Sequence, residues 1–179
     1  MKLTLDMPLF STQRRLLLMM NHNEEIRDQI CAAVSGFSSE TLNRKPAEGK
    51  WSPVQVLEHL YLMEKAITAG IMQALAATEE AVTEPKPYQL TLDRNRFIDA
   101  PPHLVPSEEV IPLGDVRARL DQSRSDLKTV LAQSEESLWN RKLYPHPVFG
   151  TMDVAQWVDF IGIHEERHLA QLKEALDGI

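Results

Sequence analysis

The sequence predicts an all-α protein, a four-helix bundle that forms a single domain over residues 1–179. The chain has 179 residues, of which 43% are apolar and 25% are charged, and this is the composition of a globular domain with a sizeable core. Long stretches of good helix formers alternate with connections rich in proline and glycine. Capping sequences stand where those stretches begin, and we find no internal repeat.

The first two helices are predicted from composition and from a capping signal. Residues 11–36 are dense in Leu, Met, Glu, Arg and Gln, and a polar connection with one helical turn follows. Ser52 can cap the second helix, Pro53 suits its first position and Gln55 can complete a capping box. This second helix is expected to end near Thr78.

The third and fourth helices are predicted from periodicity and from turn residues. The third covers residues 115–134 and has one apolar side, formed by Val116, Leu120, Leu127 and Leu131. The fourth begins after a Pro/Gly connection over residues 140–150, is capped by Thr151 or Asp153, and ends near Leu176.

The lengths of the connections predict how the helices are arranged. The short connections, residues 37–51 and 135–150, favour antiparallel neighbours. The segment 79–112 holds six of the eleven prolines, which forbids a long helix there. We expect this segment to be a crossover between the second and third long helices that packs across the bundle and shapes a substrate pocket.

Charge and cysteine content exclude several classes of function. The net charge of −7 argues against a nucleic-acid or anionic-membrane partner. Cys31 is the single cysteine, which favours a cytoplasmic setting without disulfides. The longest strictly apolar run, residues 16–20, is far too short to cross a bilayer.

The fourth helix carries two histidines on the side that should face the core. The stripe recurs every three or four residues and consists of Trp157, Ile161, His164, His168, Gln171 and Ala175. Side chains at positions i and i+4 lie on one face, so the imidazoles of His164 and His168 can reach one metal ion.

A third histidine lies on the second helix. His59 shares a stripe with apolar or small residues, including Gly70, which would let another helix approach closely. Three imidazoles from two helices would form a metal site with open coordination positions, as in catalytic centres. The alternative is that His59, His164 and His168 are core histidines satisfied by ordinary hydrogen bonds.

Three other residues could either line the pocket or have a purely structural role. Gln171 could orient a ligand or serve as a packing amide, and Trp157 could form the pocket floor. His146, between two prolines, could approach the open side of the metal or shape a turn. The Glu165, Glu166 and Arg167 run turns away from the stripe, which indicates a solvated face or a dimer contact.

Three segments together resemble the DinB/YfiT-like superfamily of four-helix metalloproteins. They are Trp51-Ser52-Pro53-Val54-Gln55-Val56-Leu57-Glu58-His59-Leu60, then His146-Pro147-Val148-Phe149-Gly150, then His164-Glu165-Glu166-Arg167-His168-Leu169-Ala170-Gln171. Their order and separation fit the family pattern over about residues 10–177.

This resemblance implies that His59, His164 and His168 bind a divalent metal ion. We expect zinc or nickel first, with iron or manganese as further options. The resemblance implies a bundle with a crossover, and a homodimer. It also favours transfer of a low-molecular-weight thiol to a small-molecule substrate, since characterised relatives include metal-dependent thiol transferases. The alternatives are a metal-dependent hydrolase and a non-catalytic bundle that binds a metal or a small ligand.

Overall fold

The protein is a bundle of four long helices, as the sequence predicts. The structure, a computed structural model, describes residues 8–95 and 98–179. Its helices, in chain order, are α1 (Pro8–Val34), the short α2 (Ser39–Asn43), α3 (Pro53–Ala76), α4 (Leu113–Gln133) and α5 (Val154–Asp177). The long helices α1, α3, α4 and α5 correspond to the four predicted ones.

Two side-chain caps set where the site-bearing helices begin. The Ser52 hydroxyl accepts the N–H of Gln55 at 3.2 Å, and the Gln55 amide oxygen accepts the N–H of Ser52 at 3.0 Å, so the predicted capping box is present. At α5 the cap is Asp153 and not Thr151, since its carboxylate accepts the N–H of Gln156 at 2.8 Å. These caps fix the register of both helices.

The helices pack as two parallel pairs. Asn23 and Arg27 of α1 bond to Val158 and Glu165 of α5, so these neighbours run in the same direction. Helices α3 and α4 are also parallel, because residue numbers rise together along both: Glu58 contacts Arg119, and Glu64 contacts Arg124. In the opposite direction, α1 runs beside α4 and α3 runs beside α5.

The expected adjacency of helices joined by short connections is wrong. The pairs α1–α3 and α4–α5 are antiparallel, but in the described chain they lie mainly across the diagonals of the bundle. Each of these connections contains structure of its own, α2 in the first and a β-hairpin in the second. Both are therefore long enough to cross an end of the bundle instead of making a tight turn.

The crossover, residues 77–112, returns the chain along the whole bundle. Because α3 and α4 are parallel, it must span the roughly 36 Å length of α3 before α4 can begin. A 3₁₀ turn at Tyr88–Leu92 packs on α5, and a second at Pro102–Leu104 packs on α3. The crossover thus lies over the groove between α3 and α5, in agreement with the prediction that it packs across the bundle.

The segment predicted only as a Pro/Gly connection is a β-hairpin. Strands β1 (Leu143–His146) and β2 (Gly150–Asp153) pair antiparallel, with Leu143 opposite Asp153. Gly150 has a φ of +73°, which glycine adopts readily at such a turn. A Cβ on Gly70 would lie 2.5 Å from Cε1 of Tyr144, so this glycine makes room for the hairpin and not for another helix as expected.

Four buried charged side chains, one from each long helix, form an ionic cluster. Its members are Arg27, Glu64, Arg124 and Glu165. The Glu64 carboxylate accepts from Arg27 at 2.9 Å and from Arg124 at 2.5 Å. Glu165 accepts from Arg124 at 2.9 Å and also from Arg27. Two positive and two negative groups therefore compensate one another inside the bundle.

This cluster corrects the sequence interpretation of Glu165 as part of a solvated face. Its side chain is 2% exposed, whereas Glu166 and Arg167 are partly exposed. The reason is that α5 packs against both α1 and α3, so its buried surface is wider than the one stripe that carries the histidines. A residue about 100° around the helix from His164 is therefore still inside.

Candidate metal centre

The three histidines singled out from the sequence converge in the groove between α3 and α5. One ring nitrogen from each of His59, His164 and His168 lies within 4.8 Å of the others. The Nε2 atoms of His164 and His168 are 3.2 Å apart. The residues are only 4%, 9% and 9% exposed, in that order. The structure thus brings these residues together, while their binding of a metal ion stays a prediction.

Two of the rings are oriented by oxygen acceptors on their outer side. His59 Nδ1 donates to the carbonyl oxygen of Leu104 at 2.8 Å, and His168 Nδ1 donates to the amide oxygen of Gln171 at 2.7 Å. An oxygen of this kind only accepts, so in the neutral rings the proton is on Nδ1 and Nε2 keeps its lone pair. This arrangement is typical of metal-binding histidines, whose other nitrogen is held by an acceptor.

The surroundings keep all three imidazoles neutral. Burial lowers the pKa of His59, against a smaller opposing effect of its hydrogen bond to Leu104. Burial, with a further contribution from the neighbouring His59, lowers the pKa of His168 to about 3. The pKa of His164 is also well below its ordinary value, first through burial and then through His168. Neutral imidazole is the form that binds a metal ion, so no proton has to be displaced near pH 7.

The donor set fits a divalent transition metal. Two nitrogens that are each about 2.1 Å from one zinc ion lie roughly 3.0–3.4 Å apart at ordinary coordination angles. The observed Nε2 separation of 3.2 Å between His164 and His168 is in this range. Imidazole suits zinc, nickel and iron, and the three rings leave coordination positions for a small molecule.

The alternative of ordinary core histidines explains only half of this geometry. Hydrogen bonds to Leu104 and Gln171 satisfy the outer nitrogens of His59 and His168. The inner nitrogens, however, have mainly one another as neighbours: the Nε2 atoms of His164 and His168 lie 3.2 Å apart, where one neutral ring can donate to the other, and a ring nitrogen of His59 lies within 4.8 Å of the cluster. One ion bound at this place would be shared by all three rings.

Aromatic rings line the histidine cluster. The ring of Trp51 is centred 4.9 Å from that of His59, and the ring of Phe160 is centred 5.7 Å from that of His164. Trp51 lies just before α3 and Phe160 lies on α5, so each of the two helices that carry the histidines has an aromatic ring beside the cluster. These rings add apolar surface to its surroundings.

Of the other predicted pocket residues, Gln171 contacts a member of the cluster and Trp157 anchors the hairpin. The Gln171 amide oxygen accepts from His168 Nδ1, and a role in orienting a metal ligand stays a prediction. Trp157 is 4% exposed, and its Nε1–H donates to the carbonyl of Tyr144 at 3.0 Å. Trp157 therefore fixes β1 against α5 at one end of the site.

His146 is not part of the histidine cluster, but it lies one aromatic ring away from it. Its ring is centred 4.8 Å from that of Phe160, which in turn contacts His164. Its Nδ1 accepts the N–H groups of Val148 and Phe149 at 3.0 and 3.2 Å. The predicted role in a turn is thus present, and burial lowers the pKa of His146 to about 4.

The particular contact by which the crossover joins the site, from the Leu104 carbonyl to His59, could not be found from sequence. Leu104 acts through its backbone carbonyl, and no side-chain pattern marks such an acceptor. Glu58, which directly precedes His59 on α3, lies outside the histidine cluster. Its carboxylate accepts from Ser107 and Arg119.

The fold and the site define a class: a four-helix bundle with parallel helix pairs and a buried cluster of three histidines under a crossover. Residues 22–172 match the model of the DinB superfamily, and the chain belongs to that superfamily. This agrees with the resemblance seen in the three sequence segments. None of the helices in the described ranges is both long and apolar enough to span a membrane.

Individual relatives extend this comparison. The chain is 36% identical over 155 residues to the uncharacterized protein YuaE of Bacillus subtilis (strain 168), covering 87% of this chain and 95% of the relative. The crystal structure of TT2238, a four-helix bundle protein, superposes with a TM-score of 0.61 at 22% identity, over 89% of this chain and 98% of the other.

A second solved structure shares the fold. It is YfiT from Bacillus subtilis, described as a probable metal-dependent hydrolase with an unusual four-helix bundle topology. It superposes with a TM-score of 0.60 at 15% identity, over 98% of this chain and 91% of the other. At these identities the two structures establish the fold of the chain.

Proposed function

We propose that the protein is a divalent-metal-dependent enzyme that transfers a low-molecular-weight thiol to an electrophilic carbon. His59, His164 and His168 would hold the metal ion, with zinc or nickel the best match to three imidazoles. The observation that carries the proposal is the geometry of the nitrogens: outer Nδ1 atoms held by oxygen acceptors, inner Nε2 atoms facing one another.

The protein would hold the metal-binding rings in place and surround them with buried side chains. The Leu104 carbonyl and the Gln171 amide hold two of the rings in the orientation that binding needs. When bound, a divalent cation lowers the pKa of a thiol or of water and so supplies a nucleophile at neutral pH. Among the described residues that could join the cluster as ligands, only the three histidines lie close enough. Within the described residues, this cluster contains no carboxylate.

The ease with which a thiol ionises favours thiol chemistry. A free thiol has a pKa of about 8.5, whereas bulk water has one of about 15.7, so a thiol needs far less activation. In the transfer step the thiol sulfur bonds to the electrophilic carbon, the leaving group departs with its electron pair, and the thiol proton passes to solvent. The family resemblance supports the same reaction.

Hydrolysis is the second candidate, and the likeness to YfiT favours it. That protein is described as a probable metal-dependent hydrolase. The same three imidazoles would serve both reactions, so the nucleophile decides between them. A reaction that needs no thiol would identify the protein as a hydrolase.

The test combines metal content with turnover. We expect the protein reloaded with zinc or nickel to bind about one ion per chain and to join monochlorobimane to glutathione, cysteine or bacillithiol. His168→Ala should lose both the ion and the rate, because it removes one ligand. His103→Ala is the matched control, since His103 is exposed and lies in the crossover outside the cluster; it should keep both.

The outcomes separate the two reactions. Metal-dependent hydrolysis of 4-nitrophenyl acetate without a thiol, together with no transfer to monochlorobimane, would favour the hydrolase. No metal-dependent rate in either assay would overturn the enzymatic proposal. Unchanged metal content in His168→Ala would show that the three histidines are not the metal site.

A further inference from the structure

We propose that His146 binds the substrate of the three-histidine site, donating a hydrogen bond from its Nε2–H to an acceptor oxygen on an otherwise apolar molecule. The inference rests on the proposed function for the location of the reacting site. It assigns a substrate-binding residue and a substrate class that the metal site by itself does not specify.

The proton of the His146 ring is on Nε2. Its Nδ1 accepts two backbone N–H groups, those of Val148 and Phe149, and backbone N–H groups can only donate. Burial lowers the pKa of His146 to about 4, so near neutral pH the ring carries one proton. Since Nδ1 is occupied as an acceptor, that proton is a hydrogen-bond donor at Nε2.

This donor has no protein partner in the parts of the chain that the structure describes. Nδ1 makes both of the hydrogen bonds of the His146 ring. The residue is only 8% exposed, yet its Nε2 is not among the buried polar atoms that are sealed off without a partner. A nine-tenths buried ring thus turns an unsatisfied N–H toward a small opening, and such a donor gains from an acceptor in a ligand.

The surroundings of His146 indicate the rest of the ligand. Aromatic rings pack around it: Trp157 at 5.1 Å, Phe149 at 4.8 Å and Phe160 at 4.8 Å between centroids. Phe160 also touches His164, so the donor and the histidine cluster share one apolar wall. The donor is uncharged and its neighbours are apolar. A molecule with an apolar body and a neutral acceptor, such as a carbonyl or nitro oxygen, suits this place better than an anion.

Two substitutions separate the structural role of His146 from the proposed one. In His146→Asn the side-chain oxygen can replace Nδ1 as acceptor for Val148 and Phe149, but nothing reaches the position of Nε2. In His146→Gln the amide nitrogen can replace Nε2, while the acceptor near the backbone is lost. The first variant keeps the turn and removes the donor, and the second does the reverse.

Binding is measured without turnover, on the full chain with and without zinc. The probes are acetophenone and ethylbenzene, which have nearly the same shape but differ in the carbonyl acceptor. We expect the native protein to prefer acetophenone by roughly 3–10-fold, the effect of one hydrogen bond. His146→Gln should retain this preference, and His146→Asn should lose it with its zinc content unchanged.

Nitrogen NMR of the imidazole gives a second readout that a purely structural role would not move. Acetophenone, but not ethylbenzene, should shift the Nε2 resonance of His146 in the native protein. Equal binding of both probes, a preference that survives in His146→Asn, or an unmoved Nε2 resonance would overturn the inference. These results do not depend on thiol transfer, so the inference and the proposed function can fail separately.

Discussion

Two neighbouring residues of α5 belong to buried polar clusters of opposite kinds. His164 joins His59 and His168 under the crossover, whereas Glu165 joins the ionic cluster between all four long helices. The ionic cluster contains as many positive as negative groups, and its members bond to one another. The histidine cluster contains neutral rings whose inner nitrogens converge on one point.

The difference shows which of the two clusters has its charged groups paired within the protein and which one could bind a ligand. In the ionic cluster each carboxylate accepts from both arginines, so opposite charges are paired inside the protein. In the histidine cluster the protein binds the outer nitrogens of His59 and His168, while the inner nitrogens of the uncharged rings have mainly one another as neighbours. We therefore expect the first to act on stability alone and the second to act through what it binds.

The largest effect is expected from breaking the ionic cluster. Glu165→Ala leaves Arg27 and Arg124 buried with one carboxylate between them, and the free energy of unfolding should fall by about 3–5 kcal/mol. Urea denaturation measures it. Glu166→Ala is the control, because that side chain is 41% exposed and should change stability by less than about 0.5 kcal/mol. A similar small loss in Glu165→Ala would contradict the comparison.

Metal binding should stabilise the fold through the histidine cluster only. At a free zinc concentration of 100 times the dissociation constant, the free energy of unfolding should rise by about 2.7 kcal/mol, because the ion binds the folded chain. His59→Ala should abolish this gain, and Glu64→Gln should keep it. Thermal unfolding with and without zinc measures the gain; an equal gain in His59→Ala would rule out the proposed site.

Gln171 allows a finer test, since it contacts His168 and is not itself a member of the three-histidine cluster. Gln171→Leu removes the acceptor for His168 Nδ1 and should weaken zinc binding about 10–100-fold without preventing it. Gln133→Leu, at an exposed position of α4, is the matched control. Competition with a chelating dye measures both affinities. If Gln171→Leu bound zinc as tightly as the control, orientation of His168 would not matter.

The smallest expected effect is the change with pH in the stability that the ionic cluster contributes. Burial acts to raise the pKa of Glu64, but Arg27 and Arg124 outweigh it and lower that pKa below the ordinary value of 4.5. The unfolded chain therefore binds the proton more readily. This part of the stability is complete above the unfolded pKa and is lost as the pH falls through the folded one.

Urea denaturation between about pH 6 and pH 3 checks this dependence. Native protein should lose stability toward the acid end, and Glu64→Gln should show a shallower decline because it lacks the titrating group. A steeper decline in Glu64→Gln than in the native protein would reverse the predicted sign.

Sequence reasoning located the histidine cluster but misjudged the ionic one. The histidines lie on stripes of otherwise apolar residues, and helical periodicity is a local property that the sequence displays. Glu165 lies off that stripe, so nothing local marks it as buried. Its burial depends on α5 having neighbours on two sides, and the sequence does not show which helices those are.

The sequence by itself determined the number of long helices, the cap at Ser52 and the inward stripes with their histidines, and it narrowed the cap of α5 to Thr151 or Asp153. These follow from backbone hydrogen bonding and helical period, which act over a few residues. Only the tertiary structure decided that like-directed helices pair, that Leu104 reaches His59, and that Arg27 meets Glu165. These contacts join positions far apart in the chain, and they form only where burial of all four helices at once makes one arrangement most stable.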